Sequence, residues 1–106
     1  MNRFMRILVF FDLPVKTKAQ QREAAKFRKF LQNDGYYMLQ YSVYVRICNG
    51  MDAVEKHRAR IRNSLPDNGS IRLLVVTEKQ YESIDILIGK LTEADESFQT
   101  EQLTIF

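Results

Sequence analysis

The chain is poor in the residues that staple, kink or hinge a small fold. Its 106 residues include one cysteine, Cys48, one histidine, His57, two prolines, four glycines and no tryptophan. A single cysteine excludes an intrachain disulfide and fits a reducing compartment, so a cytoplasmic location is expected. Long hydrophobic runs are missing too. The apolar stretch Ile7 to Phe11 is far too short to span a bilayer, no arginine-rich transit peptide precedes it, and no membrane partner is expected. The single histidine forms no His/Glu pair at metal-ligand spacing. The glycines are spread along the chain, which argues against the glycine-rich loop of a ligand-sensing regulatory dimer. Low-complexity stretches, internal repeats and dividing linkers are also absent from the sequence.

Hydrophobic residues make up 45% of the chain. A domain of this size buries roughly two-thirds of its unfolded surface, enough for one real core. Charge is distributed unevenly. Residues 1–62 carry a balance of +8 and residues 63–106 a balance of −5, within a net charge of +3. A basic front and an acidic tail suggest two kinds of partner, although charge runs also serve simply as solvated surface.

The pattern predicts an α+β fold. Residues 4–12, FMRILVFFD, read as a strand buried on both faces, ended by Leu13-Pro14. Thr17-Lys18-Ala19-Gln20 is a capping box opening a helix that runs to about Asn33, with Gly35 placed for a left-handed C-terminal cap. Ala24, Phe27, Phe30 and Leu31 form its apolar face. Lys18, Arg22, Lys26 and Lys29 recur on the opposite side as a basic stripe. Residues 36–40 and 42–47 read as antiparallel neighbours. Asn49 is expected to cap a second helix with Met51, Val54, Ile61 and Leu65 inward. Pro66-Asp67-Asn68-Gly69 signals a turn before a strand at residues 70–77. The resulting order, β-α-β-β-α-β, is the ferredoxin-like pattern, with the first and third strands central and both helices on one face. Within one domain, residues 1–83 form the expected core and residues 84–106 a C-terminal extension. Glu78 to Ser83 reads as a short helical turn, Ile84 to Ile88 as a fifth strand and Gln102 to Phe106 as a sixth. Apolar strands with no vacancy in their own sheet must find an edge elsewhere, across a homodimer or on a partner protein.

Four segments then resemble the CRISPR-associated protein 2 family: Phe11-Asp12-Leu13-Pro14 at the end of the first strand, Lys26-Phe27-Arg28-Lys29-Phe30-Leu31 in the helix, Gln40-Tyr41-Ser42-Val43-Tyr44, and Val76-Thr77-Glu78-Lys79-Gln80. The likeness covers almost the whole chain, and looks closest to members found beside single large effector nucleases. It implies a symmetric homodimer that bridges two dimers of the CRISPR integrase subunit and holds double-stranded prespacer DNA for insertion into the array. It also implies a metal-dependent nuclease label, for RNA in some members and duplex DNA in others. The family's strand-end aspartate maps onto Asp12 and its motif serine onto Ser42. Phe11 stands where the family often has tyrosine, so a role for that hydroxyl is absent.

Asp12 is therefore the candidate catalytic and metal-binding residue. Two copies facing each other at about 4 Å would repel by roughly 4 kcal/mol at an effective dielectric near 20. Mg²⁺ would relieve this and activate water. The alternative is a turn aspartate bonded to nearby amides ahead of Pro14. One carboxylate per chain makes a sparse catalytic site, so any nuclease activity is expected to be slow, conditional or absent. His57 is expected to pack or face solvent, and Cys48 to be a small buried residue.

The nucleic-acid-binding candidates are Lys16, Lys18, Arg22, Lys26, Lys29 and Arg46, with Lys56, Arg60 and Arg62 behind them. Tyr36, Tyr37, Tyr41 and Tyr44 fall on strands without a glycine-aromatic RNA-binding motif, so core and dimer packing is their expected task. In the acidic tail, Leu103, Ile105 and Phe106 are the partner-binding candidates. The competing function is a stand-alone, metal-dependent endoribonuclease of the toxin type.

Overall fold

The computed structural model of the chain describes residues 3–90 together with Thr92 and Asp95. In chain order the elements are β1 (Phe4–Asp12), α1 (Lys18–Asn33), β2 (Tyr37–Gln40), β3 (Val43–Asn49), α2 (Met51–Arg62), β4 (Ser70–Thr77) and α3 (Glu78–Glu82). The strands form one four-stranded antiparallel sheet in the order β2-β3-β1-β4. β1 is central, as its near-continuous apolar run predicts. Val9 lies opposite Tyr44 on one side and Leu73 on the other.

Alternation along β1 divides the two faces. Ile7, Val9 and Phe11 join Tyr44 and Cys48 of β3, Phe27 and Leu31 of α1, and Val54 and Ile61 of α2 in the main core. Both long helices therefore cover one face. The Phe11 and Phe27 rings meet edge to face, 5.4 Å apart. Leu8, Val45 and Tyr81 form a second cluster on the opposite face, where the short α3 lies against the sheet, with Tyr37, Leu39 and Val76 packed on it.

Local sequence fixes the ends of α1. The Thr17 hydroxyl accepts from the Gln20 N–H at 3.1 Å, and the Gln20 side chain accepts from the N–H groups of Thr17 and Lys16. Such a cap contributes about 1 kcal/mol. At the other end Gly35 takes a left-handed conformation, φ +94°, and a Cβ there would come within 3.0 Å of the Arg46 side chain. α2 starts differently from expectation. Gly50, not Asn49, occupies the cap position, with no side-chain hydrogen bond, because Asn49 is still paired in β3 opposite Phe4. Its inward residues are Val54, His57 and Ile61, while Met51 and Leu65 are half exposed.

Within the single chain, Ile84 to Ile88 takes neither helix nor strand form. A strand needs an edge to pair with, and here the segment follows α3 without meeting one. Leu87 and Ile88 are 91% and 98% exposed. The expected sixth strand at residues 102–106 lies outside the described residues. Among the described residues no helix is long and apolar enough to cross a membrane.

Candidate nucleic-acid interface

Burial of Ala24, Phe27 and Leu31 turns Lys18, Arg22, Lys26 and Lys29 to the outer side of α1, where all four are exposed. Lys16, just before the helix, is exposed as well. None of the ion pairs among the described residues involves any of the five. The arrangement does not serve the helix itself. The first turn has no acidic residue and carries Lys18, against the helix dipole. Like charges four apart, as in Lys18/Arg22 and Arg22/Lys26, each cost about 0.2–0.5 kcal/mol. A surface that carries these local penalties suits a polyanion running along the helix, whose 16 residues span about 24 Å.

Arg46 sits apart from the stripe, at the C-terminal end of α1. Its guanidinium donates to the carbonyl oxygens of Asp34 at 2.6 Å and Ile47 at 2.7 Å. It buttresses the α1–β2 turn, so two of its donor positions are already occupied.

On α2, Lys56, Arg60 and Arg62 are exposed. Arg60 donates to Asp34 Oδ1 at 2.7 Å, and His57 Nδ1 lies 2.8 Å from Asp34 Oδ2. Asp34 thus ties the end of α1 to α2. Burial by itself pushes its carboxyl up, but the hydrogen bonds from His57 and Arg60 more than reverse this and hold it below the ordinary carboxylate range. Sequence reasoning missed this junction. Its only signal was an aspartate in a helix-ending turn.

Asp12 closes β1 opposite Ser70 and is exposed. Alternation places it on the face of Arg6, Leu8 and Phe10, away from α1, so Asp12 and the basic stripe do not form one site. Ser42 lies at the same end of the sheet: the Phe11 N–H donates to its carbonyl at 3.1 Å. Ser42 adopts φ +62°, the left-handed region, in the turn joining β2 to β3. Gly69 approaches from the third side, leaving no room for a Cβ beside the Asp12 carbonyl, 2.8 Å away. Among the described residues no group of three or more His, Cys, Asp or Glu side chains could hold a metal ion.

The tyrosines divide by strand face. Tyr36 and Tyr44 are buried in the main core, and Tyr41 is 82% exposed at the hairpin turn. Tyr37 belongs to a polar cluster with Arg6, Glu78, Tyr81 and Asp95 on the opposite face. That cluster was also missed, although an arginine inside an apolar run was its signature. Leu103, Ile105 and Phe106, and the acidic residues Glu93, Glu96 and Glu101, lie outside the described residues.

The sheet order, the two helices on one face and a cationic outer helix define a small ferredoxin-like α+β protein with a basic surface. The family model described as CRISPR associated protein Cas2 matches residues 5–84. The chain is 50% identical over 102 residues to the CRISPR-associated endoribonuclease Cas2 of Acidovorax ebreus (strain TPSY), covering 96% of this chain and all of that relative. It is 39% identical over 105 residues to the protein of the same name from Campylobacter jejuni, covering 99% of this chain and 73% of that one. A solved structure described as a crystal structure of cas2 superposes with a TM-score of 0.58 at 15% identity, covering 85% of this chain and 92% of that one, and supports the fold. The chain belongs to the CRISPR-associated Cas2 family.

Proposed function

We propose that the chain is the homodimeric structural subunit of the CRISPR adaptation complex. In this reading it bridges two dimers of the integrase subunit and holds duplex prespacer DNA for spacer acquisition in antiviral defence, within the cytoplasm. The observation that carries it is the exposed row Lys18, Arg22, Lys26 and Lys29, outside every ion pair among the described residues. Dimerisation doubles that row into a longer cationic surface, giving affinity without sequence preference.

The sheet supplies the apolar side of the argument. Phe4, Phe10 and Leu74 are 40%, 37% and 50% exposed. Alternation and the pairing of Leu8 with Leu74 assign them to the face that α1 and α2 leave open. β4 is an edge strand, available to an added strand. Such a face suits a second copy, with the Ile84 to Ile88 segment and the C-terminal Leu103, Ile105 and Phe106 given to the dimer mate or the integrase subunit.

The test is co-purification with the integrase subunit, with and without duplex DNA. A stable complex that contains two copies of this chain and retains duplex supports the proposal. Failure to associate under both conditions removes the bridging role.

A second reading has a specific basis in the relatives' name, endoribonuclease. It would place Mg²⁺ between Asp12 of two copies, each supplying one carboxylate. The exposed basic row on α1 is the feature that favours the structural role.

A further inference from the structure

The open face of the sheet carries one unpaired charge of each sign. By alternation, the charged strand residues on that face are Arg6 and Asp12 of β1 and Arg72 of β4. Arg6 is neutralised by Glu78. Asp12 and Arg72 are exposed, and neither joins an ion pair among the described residues. Asp12 lies opposite Ser70, and Phe10 lies opposite Arg72. The two charges are therefore diagonal neighbours on adjacent strands, about 7–8 Å apart along the backbone. An ion pair exposed to water gains little against the entropy of holding two side chains, which fits their separation in the lone chain.

A second copy changes that balance. Phe10, 37% exposed, and Leu74, 50% exposed, flank Arg72 on the same face. A copy that covers them also takes water from both charges, and a charge removed from water has to be paired. Two-fold symmetry limits the ways to do so, because each contact is repeated with the roles exchanged. Asp12 against Asp12, with Arg72 against Arg72, opposes like charges. Asp12 against Arg72 is attractive, and the axis makes the contact twice. We propose that Asp12 of each copy pairs with Arg72 of the other, which makes the open face self-complementary in charge and Arg72 a residue that specifies the dimer. The pairing rests on the homodimer reading and adds to it the side chain that answers the Asp12 charge. In this arrangement no cation is needed to relieve the two carboxylates.

The test uses the full chain and two charge-reversed forms, Asp12→Arg and Arg72→Asp, each checked by circular dichroism for a folded sheet. Sedimentation equilibrium gives the dimer dissociation constants, and native mass spectrometry counts mixed dimers. Either reversed form alone sets like charges together at both contacts, and its dimer is expected to weaken about 10–100-fold. Mixing the two forms restores both attractive contacts, so mixed dimers are expected to outnumber like dimers about 10-fold. The exposed control forms Asp67→Arg and Lys56→Asp carry the same charge changes and are expected to mix statistically. The neutral variants Asp12→Asn and Arg72→Gln keep the test open should a reversed form not fold. Each is expected to weaken the dimer about 3–10-fold, a loss that binding assays run well above the dissociation constant do not register. Neutral and reversed variants that dimerise as tightly as the parent would overturn the pairing and leave the dimer standing. Reversed forms that mix no better than the controls would do the same. A parent dimer at least about 10-fold tighter in Mg²⁺ than in EDTA would assign Asp12 to the metal and overturn the pairing, whereas equal constants support it. A parent that stays monomeric would instead remove the homodimer reading itself.

Discussion

Arg6 and Glu78, separated by 72 residues in sequence and each only 1% exposed, meet through two hydrogen bonds of 2.6 and 2.7 Å. Burial by itself lowers the basicity of the guanidinium, but the contacts with Glu78 and Tyr37 raise it above its ordinary value, so Arg6 stays charged. Stranding one member of such a pair costs about 3–5 kcal/mol, whereas replacing both by apolar residues of similar volume is often nearly neutral. Glu78→Ala is expected to lose that amount in urea unfolding. The pair Arg6→Met with Glu78→Leu should recover much of it. A single variant within about 0.5 kcal/mol of the parent, the range of ordinary surface changes, would contradict the assignment.

Acid should loosen the junction between the two long helices. The Asp34 carboxyl sits below its ordinary value of about 3.9. A carboxyl whose pKa is lower in the folded than in the unfolded chain adds stability in full above the unfolded value, and loses it as pH falls through the folded one. Stability is therefore expected to decline below about pH 4, partly through Asp34. Asp34→Asn should show a shallower decline there, and lower stability at neutral pH by about 1.5–3 kcal/mol. Equal pH slopes in urea titrations of the two proteins would count against this role.

The β2–β3 turn holds Ser42 in a left-handed conformation that costs an L-residue about 1–2 kcal/mol, and more with branching at Cβ. Ser42→Gly should be neutral or stabilising, and Ser42→Val should destabilise by about 1–2 kcal/mol. Thermal unfolding of the two variants checks the order, and a valine variant as stable as the glycine variant would refute it.

The core and the basic stripe were legible because both depend on local periodicity. The apolar run of β1, the Thr17/Gln20 capping box and the 24/27/31 spacing each name an element and its inward face. What escaped depends on contacts between residues distant in sequence. His57 reads as an ordinary packing or surface residue until Asp34, 23 positions earlier, is seen to meet it. Arg46 reads as a free strand cation until its guanidinium is found on the Asp34 carbonyl. Asn49 looks like a cap because asparagine favours that role, yet β-pairing with Phe4 takes precedence over local propensity. Ile84 to Ile88 has the composition of a strand, but composition supplies no edge to pair with.

Asp12 separates the structural from the catalytic reading. Asp12→Ala should leave duplex binding and spacer integration within about twofold of the parent, because strand alternation puts the residue on the face away from α1. Integration assays and RNA-cleavage assays on the same preparation check this. A robust Mg²⁺-dependent cleavage that disappears in the variant, with dimerisation intact, would favour the endoribonuclease.

The cationic outer face of α1 is tested most directly by the salt dependence of duplex affinity. For the parent, the logarithm of the association constant should fall linearly with the logarithm of salt concentration, at a slope of about 0.9 per phosphate neutralised. Replacing Lys18, Arg22, Lys26 and Lys29 together by glutamine should weaken binding of every duplex sequence alike, and flatten that slope by about 0.9 for each phosphate that is no longer neutralised. A parent that binds with no salt dependence, or a fourfold variant with the parent's slope and affinity, would contradict the account.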